Sequence, residues 1–187
     1  MNPVEKIRSQ HKTNLLQGLA LKPHRKRIVH LDDIRSIGVI AHGLNDEEQV
    51  TLSQFSHHLT NRGVMVKKIV LPANAEEQLD KFGIPKSEYT QLFTSYHYDL
   101  LIDATPTDDL FGLYVTLNTS SNLRVVYQDK QLPYQDITLT AYDLIFLGNG
   151  AMDLSKYLTD VLNYLIQIKK VRTRRIETES NTNNIQS

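Results

Sequence analysis

The chain contains no cysteine, which removes disulfides, thiolate metal sites and cysteine nucleophiles from consideration together. No apolar stretch approaches the roughly 18 residues of a membrane span. The N-terminal run Met1-Asn2-Pro3-Val4-Glu5-Lys6-Ile7-Arg8 lacks the 7–15-residue apolar segment of a secretory signal, so the expected location is the cytoplasm. Neither a G-x-G-x-x-G fingerprint nor a Walker lysine occurs, and no cofactor is expected. His57-His58 has no H-x-x-x-H companion; adjacent helical positions diverge by about 100 degrees and share one ion poorly, so no metal site is expected. No motif in the chain demands a particular chemistry.

Net charge is also lacking, yet the zero balance of 21 basic and 21 acidic residues is uneven along the chain. Residues 1–35 carry 8 Lys/Arg against 3 Asp/Glu, residues 169–187 carry 5 against 2, and residues 36–168 carry 8 against 16. An acidic body therefore has two basic ends. Arg25, Lys26 and Arg27 in the first and Arg172, Arg174 and Arg175 in the second are candidate contacts for RNA, a ribosome or another acidic partner. No aromatic residues interleave them and the acidic body would oppose close approach, so solvated basic segments are the preferred account.

What is present is alternation. At 187 residues, 40% hydrophobic and 22% charged, the chain suits one soluble domain with a real core. Ser36-Ile37-Gly38-Val39-Ile40-Ala41 and Asp99-Leu100-Leu101-Ile102-Asp103-Ala104 are continuous apolar runs, the pattern of strands covered on both faces. Val64 to Leu71 reads as a strand whose Lys67-Lys68 pair suits an edge. Leu123 to Tyr127 and Asp143 to Leu147 complete five. Between them lie helical patterns. Asn45 with Glu48 forms a capping-box sequence before Leu52, Phe55 and Leu59, and Gly63 supplies a left-handed terminus. A short helix is expected near 86–94, and Thr107 or Asp108 is expected to cap one that carries Leu110, Leu113, Tyr114 and Leu117. Asp153 is expected to cap the last, with Met152 and Tyr157 at staple spacing.

The expected fold is α/β: a three-layer sandwich around a mostly parallel five-stranded sheet, flavodoxin-like or Rossmann-like, with strand order 2-1-3-4-5. The expected division is an N-terminal helix and basic connector over 1–35, the α/β domain over 36–170, and a basic, then polar, disordered tail over 171–187.

At Phe82-Gly83-Ile84-Pro85-Lys86, a short helix, and then Tyr98-Asp99-Leu100-Leu101-Ile102-Asp103, the chain resembles a family of short uncharacterised bacterial α/β proteins, a domain of unknown function. The resemblance spans about residues 36–170 and implies a free-standing cytoplasmic protein. It brings no established activity and no functional residues.

In open parallel sheets, ligands bind outside the carboxyl ends of the strands, where the order reverses. Those loops hold His42 and Asn45, then Asp103, Thr105 and Asp108, then Gln128 and Asp129, then Gly148, Asn149 and Gly150. His42, Asp103 and Asp108 are expected as neighbours able to bind a small anionic or polar ligand, or to act as a base in a small hydrolase or transferase. A helix cap, a strand-end hydrogen bond and an exposed loop histidine would account for the same three. Free amides before the first capped helix could hold an anion, but Asp46-Glu47-Glu48 would repel a phosphate. Gly148-Asn149-Gly150 offers a weaker cradle. The Tyr98-Asp99 and Tyr142-Asp143 echo is expected to be turn chemistry at two strand starts. The leading functional expectation is a small ligand-binding or regulatory module that is not an enzyme.

Overall fold

The computed structural model describes residues 3–20, 31–81, 84–106, 109–129, 141–148 and 150–167. Helix α1 (Pro3–Ala20) precedes strand β1 (Ser36–His42), α2 (Asp46–Thr60), β2 (Met65–Leu71), α3 (Ser87–Thr94), β3 (His97–Ala104), α4 (Leu110–Asn118), β4 (Ser120–Asp129) and β5 (Leu144–Gly148). A final helix, α5, spans 154–167. The five strands form one sheet in the order β2-β1-β3-β4-β5, and every neighbouring pair is parallel. The expected strand order is the observed one. β3 is central and the lysine-bearing β2 is an edge.

Alternation along the strands sends side chains into two layers. Val39 and Ala41 of β1, with Ile102 and Ala104 of β3, pack with Leu52 and Leu59 of α2 and with Leu154, Leu158, Val161 and Leu165 of α5. On the opposite face, Ile40, Ile69 and Leu101 meet Phe93 of α3 and Phe111 and Val115 of α4. Leu16 and Leu19 of α1 continue that layer, packing with Leu113 and Leu117 of α4 and with Val126 and Tyr142. Three layers result. Burial of both sheet faces is why β1 and β3 read as unbroken apolar runs.

The local signals explain the helix ends. The Asn45 side chain accepts from Glu48 N while the Glu48 carboxylate accepts from Asn45 N, each at 2.9 Å, so the capping box closes. Gly63 follows at φ +79°, a conformation that costs glycine little. Asp153 Oδ1 accepts from Lys156 N at 2.9 Å at the start of α5, and Met152 packs against the cluster containing Tyr157.

One cap differs from expectation. Asp109, not Thr107 or Asp108, caps α4, its side chain accepting from Phe111 N at 2.8 Å. The reason is the preceding proline. Asp109 N donates to the Pro106 carbonyl at 2.9 Å, so the chain turns first and becomes helical only from Leu110. Thr107 and Asp108 lie outside the described residues.

The Tyr-Asp echo also works differently from local turn chemistry. Asp99 Oδ2 accepts from the backbone amides of Arg35 and Ser36 at 2.8 and 3.0 Å, and its Oδ1 accepts from Asn122 Nδ2 at 3.0 Å. Asp143 Oδ2 accepts from Arg124 N at 2.8 Å. Each carboxylate reaches a neighbouring strand, which local sequence cannot announce.

Candidate functional site

The strand order reverses between β1 and β3, so their carboxyl ends flank the crevice in which this architecture places ligands. His42 is the last residue of β1 and shares the α3/α4 face with Ile40, two positions earlier. Its Nδ1 is hydrogen-bonded to Asp109 Oδ2, and the Phe111 ring stands at an edge-to-face angle of 63° with centroids 6.2 Å apart. The side chains of His42 and Asp109 are 28% and 13% exposed, so the pair is sheltered but reachable.

A carboxylate can only accept, so Nδ1 carries the hydrogen and Nε2 keeps its lone pair in the neutral ring. No partner for Nε2 is present among the described residues. A histidine oriented in this way accepts from a bound hydroxyl or ammonium group, and can take up a proton from it.

Directly beneath lies a second, closed cluster. Asp103 is 1% exposed. Its Oδ1 accepts from Thr105 N at 3.0 Å and from Thr105 Oγ1 at 2.7 Å, and Tyr142 Oη donates to its Oδ2. Gly112 of α4 is the lid: a Cβ there would lie 2.5 Å from both carboxylate oxygens. From the other face of the sheet, Tyr157 Oη donates to the Asp103 carbonyl at 3.1 Å. Burial pushes the Asp103 carboxyl up to about 6, against the lowering effect of the Tyr142 and Thr105 hydrogen bonds, and the charge of Asp109 pushes the same way as burial. Burial, followed by the charge of Asp103, raises the Tyr142 and Tyr157 phenols. Burial lowers the Arg124 guanidinium, opposed by Asp143 and Tyr142.

Of the residues nominated from sequence, His42, Asp103 and Thr105 gather at this rim. The partner of His42 is Asp109; Asp108 lies outside the described residues. Asn45 sits at the same rim with its side chain engaged in the α2 cap. Around Gly148 and Gly150, the Tyr127 phenol occupies the space a Cβ on Gly148 would need, and it donates to the Gly150 carbonyl at 3.1 Å. Asn149 lies outside the described residues, as do Arg25, Lys26, Arg27, Arg172, Arg174 and Arg175.

His57 and His97 lie away from this rim. His57 Nε2 is 3.0 Å from Asn61 Nδ2 at the end of α2, and His97 bonds Ser120 and Asn122 at the amino edge. No cluster able to hold a metal occurs among the described residues. No described helix is long and apolar enough to cross a membrane.

Asp109, Phe111 and Tyr142 are the site residues that sequence reasoning missed. The Pro106 turn was the available signal for Asp109. Tyr142 is 39 residues from its partner Asp103 and becomes legible only once the strand order is known.

Residues 8–168 match the model of a family of unknown function, DUF6913. No curated protein matches the chain.

Proposed function

The chain belongs to the DUF6913 family, and from that premise we propose that it is a small, non-enzymatic ligand-binding module of flavodoxin-like strand order. Its site lies at the carboxyl rim between β1 and β3. The observation that carries the proposal is the His42–Asp109 pair at the reversal point, with Nε2 unpartnered among the described residues and both side chains partly exposed. Phe111 supplies an aromatic wall, and Thr105 stands at the end of the adjacent strand. The lack of cysteine suits a reducing cytoplasm.

Charge narrows the ligand. Residues 42–60 and 103–118, which run from the two strand ends at the reversal through the helices that follow, contain six Asp/Glu and no Lys or Arg. A phosphate would meet uncompensated negative charge there, so a neutral polar or cationic small molecule is favoured. Thermal-shift screening should include sugars, amino acids, polyamines, nucleotides and inorganic phosphate. A stabiliser whose effect is lost in both His42→Ala and Asp109→Asn supports the assignment. Silence across the panel, or a stabiliser indifferent to both substitutions, rejects it.

A further inference from the structure

Strand β2 pairs only with β1, so its outer side is a sheet edge among the described residues. Met65 N donates to the Arg35 carbonyl at 2.8 Å, and Gly43 N donates to the Leu71 carbonyl at 2.9 Å. In a parallel ladder this register directs the backbone groups of Met65, Lys67, Ile69 and Leu71 to β1. Val66, Lys68 and Val70 therefore aim theirs outward. The Tyr89 hydroxyl of α3 donates to the Val70 carbonyl at 2.6 Å, and the rest of that row has no partner among the described residues. Such a row is a template for a further strand. Beside it lies a groove of about 310 Å³, lined by Lys67, Lys68 and Ile69 of β2 and by Tyr89, Leu92 and Phe93 of α3. Leu92 is 74% exposed. Ile69 and Phe93 belong to the α3/α4 layer, so Lys67, two positions before Ile69, shares that face, and its ammonium lies 3.5 Å from the Tyr96 ring centroid. Val66 and Val70 pack into the α2/α5 layer, which puts the exposed Lys68 on that opposite face. Neither lysine has an ion-pair partner among the described residues.

We propose that the outer edge of β2 is a docking surface for an extended acidic segment of another protein, one in which acidic and apolar residues alternate. The backbone row supplies the hydrogen bonds, and the period of two sorts the side chains. Apolar residues enter the groove beside α3, while acidic ones lie on the face of Lys68. Charge selects this occupant over two others. A second copy pairing antiparallel through Val66, Lys68 and Val70 would set Lys68 directly against its own counterpart, and like charges so opposed destabilise a strand pair. The basic ends of the chain, residues 1–35 and 169–187, would meet the same two lysines with the same sign. An acidic strand meets neither obstacle. The surface shares no residue with the His42–Asp109 rim, and the two proposals stand or fall separately.

Amide exchange followed by NMR tests the assignment on the full chain, alone and with a short peptide of alternating glutamate and valine at low salt. In the free chain the Lys67 and Ile69 amides should be protected while those of Val66, Lys68 and Val70 exchange fast. The acidic peptide should slow these three, and the same peptide with lysine in place of glutamate should leave them unchanged. Lys68→Glu alters an exposed side chain and should weaken binding of the acidic peptide about tenfold. Methylating the peptide's backbone nitrogens should abolish binding, which attraction between charges alone would not require. An acidic peptide that fails to bind, or that binds without slowing the three amides, overturns the proposal. So does protection of those amides in the free chain: dependence on protein concentration would identify a second copy as the occupant, and independence of it a segment of the same chain.

Discussion

Replacing Gly112 by alanine sets two well-characterised effects against each other. In an ordinary helix interior the change stabilises by about 1 kcal/mol, because alanine loses less backbone freedom and is the better helix former. Gly112 is not ordinary. A Cβ there would fall 2.5 Å from both oxygens of Asp103, and those oxygens cannot retreat without giving up Thr105 and Tyr142. Overpacking of a well-filled interior costs about 1–3 kcal/mol, and a pinned neighbour argues for the upper part of that range. The net expectation is a loss of about 1–2 kcal/mol. Gly18, in α1, is the control: nothing lies within 4 Å of its Cβ position, so Gly18→Ala should gain about 0.5–1 kcal/mol. Urea unfolding followed by circular dichroism at pH 7.5, with the m-values compared, measures both. If Gly112→Ala proves as stable as the parent chain with an unchanged m-value, α4 does not press on the carboxylate, and the account of that cluster is wrong.

Further expectations concern the same cluster and the strand ends. The Asp103 carboxyl binds its proton more tightly when folded, at about 6 against an ordinary 3.8, so its contribution to stability is greatest in acid and is lost as pH rises through 6. Between pH 4.5 and 7.5 that amounts to about 2 kcal/mol. The stability of Asp103→Asn relative to the parent should therefore improve by that amount over the same interval in paired urea titrations; a flat difference refutes it. Asn45→Ala removes half of the capping box and should cost about 1 kcal/mol by the same assay, with no loss expected if α2 were held by packing alone. Asp99→Ala leaves the Arg35 and Ser36 amides without their side-chain acceptor and should cost about 1–3 kcal/mol. Amide exchange at Arg35 and Ser36 should accelerate with it, and unchanged protection there would show that the carboxylate is not what holds them.

Much of the architecture was legible because the signals were redundant. The unbroken apolar middle of β3 marked it as central, Lys67-Lys68 marked an edge, and Asn45 with Glu48 spelled a cap that formed as written. Boundaries were less legible where side chains replace apolar pattern: β4 begins at Ser120 rather than Leu123 because polar Ser120 and Asn122 bond His97 and Asp99 on the next strand. The site was half legible. Topology alone selected the ends of β1 and β3, and with them His42, Asp103 and Thr105. Thr107 or Asp108 was expected to cap α4 and Asp109 was passed over, because propensity alone does not say where the turn after Pro106 ends and the helix begins. Tyr142 was visible only as half of an echo, since its partner lies on a different strand.

The carboxylates of Asp99 and Asp143, with His97 beside them, lash β1, β3, β4 and β5 together at one end of the sheet. A strand that slipped by one position would break these ties and turn its buried side chains outward, so alignment is enforced there. The opposite end is thereby relieved of that duty. Its connecting segments are free to change in length and composition while the scaffold stays aligned, which makes this a frame on which new recognition surfaces can be grafted, by selection or by design.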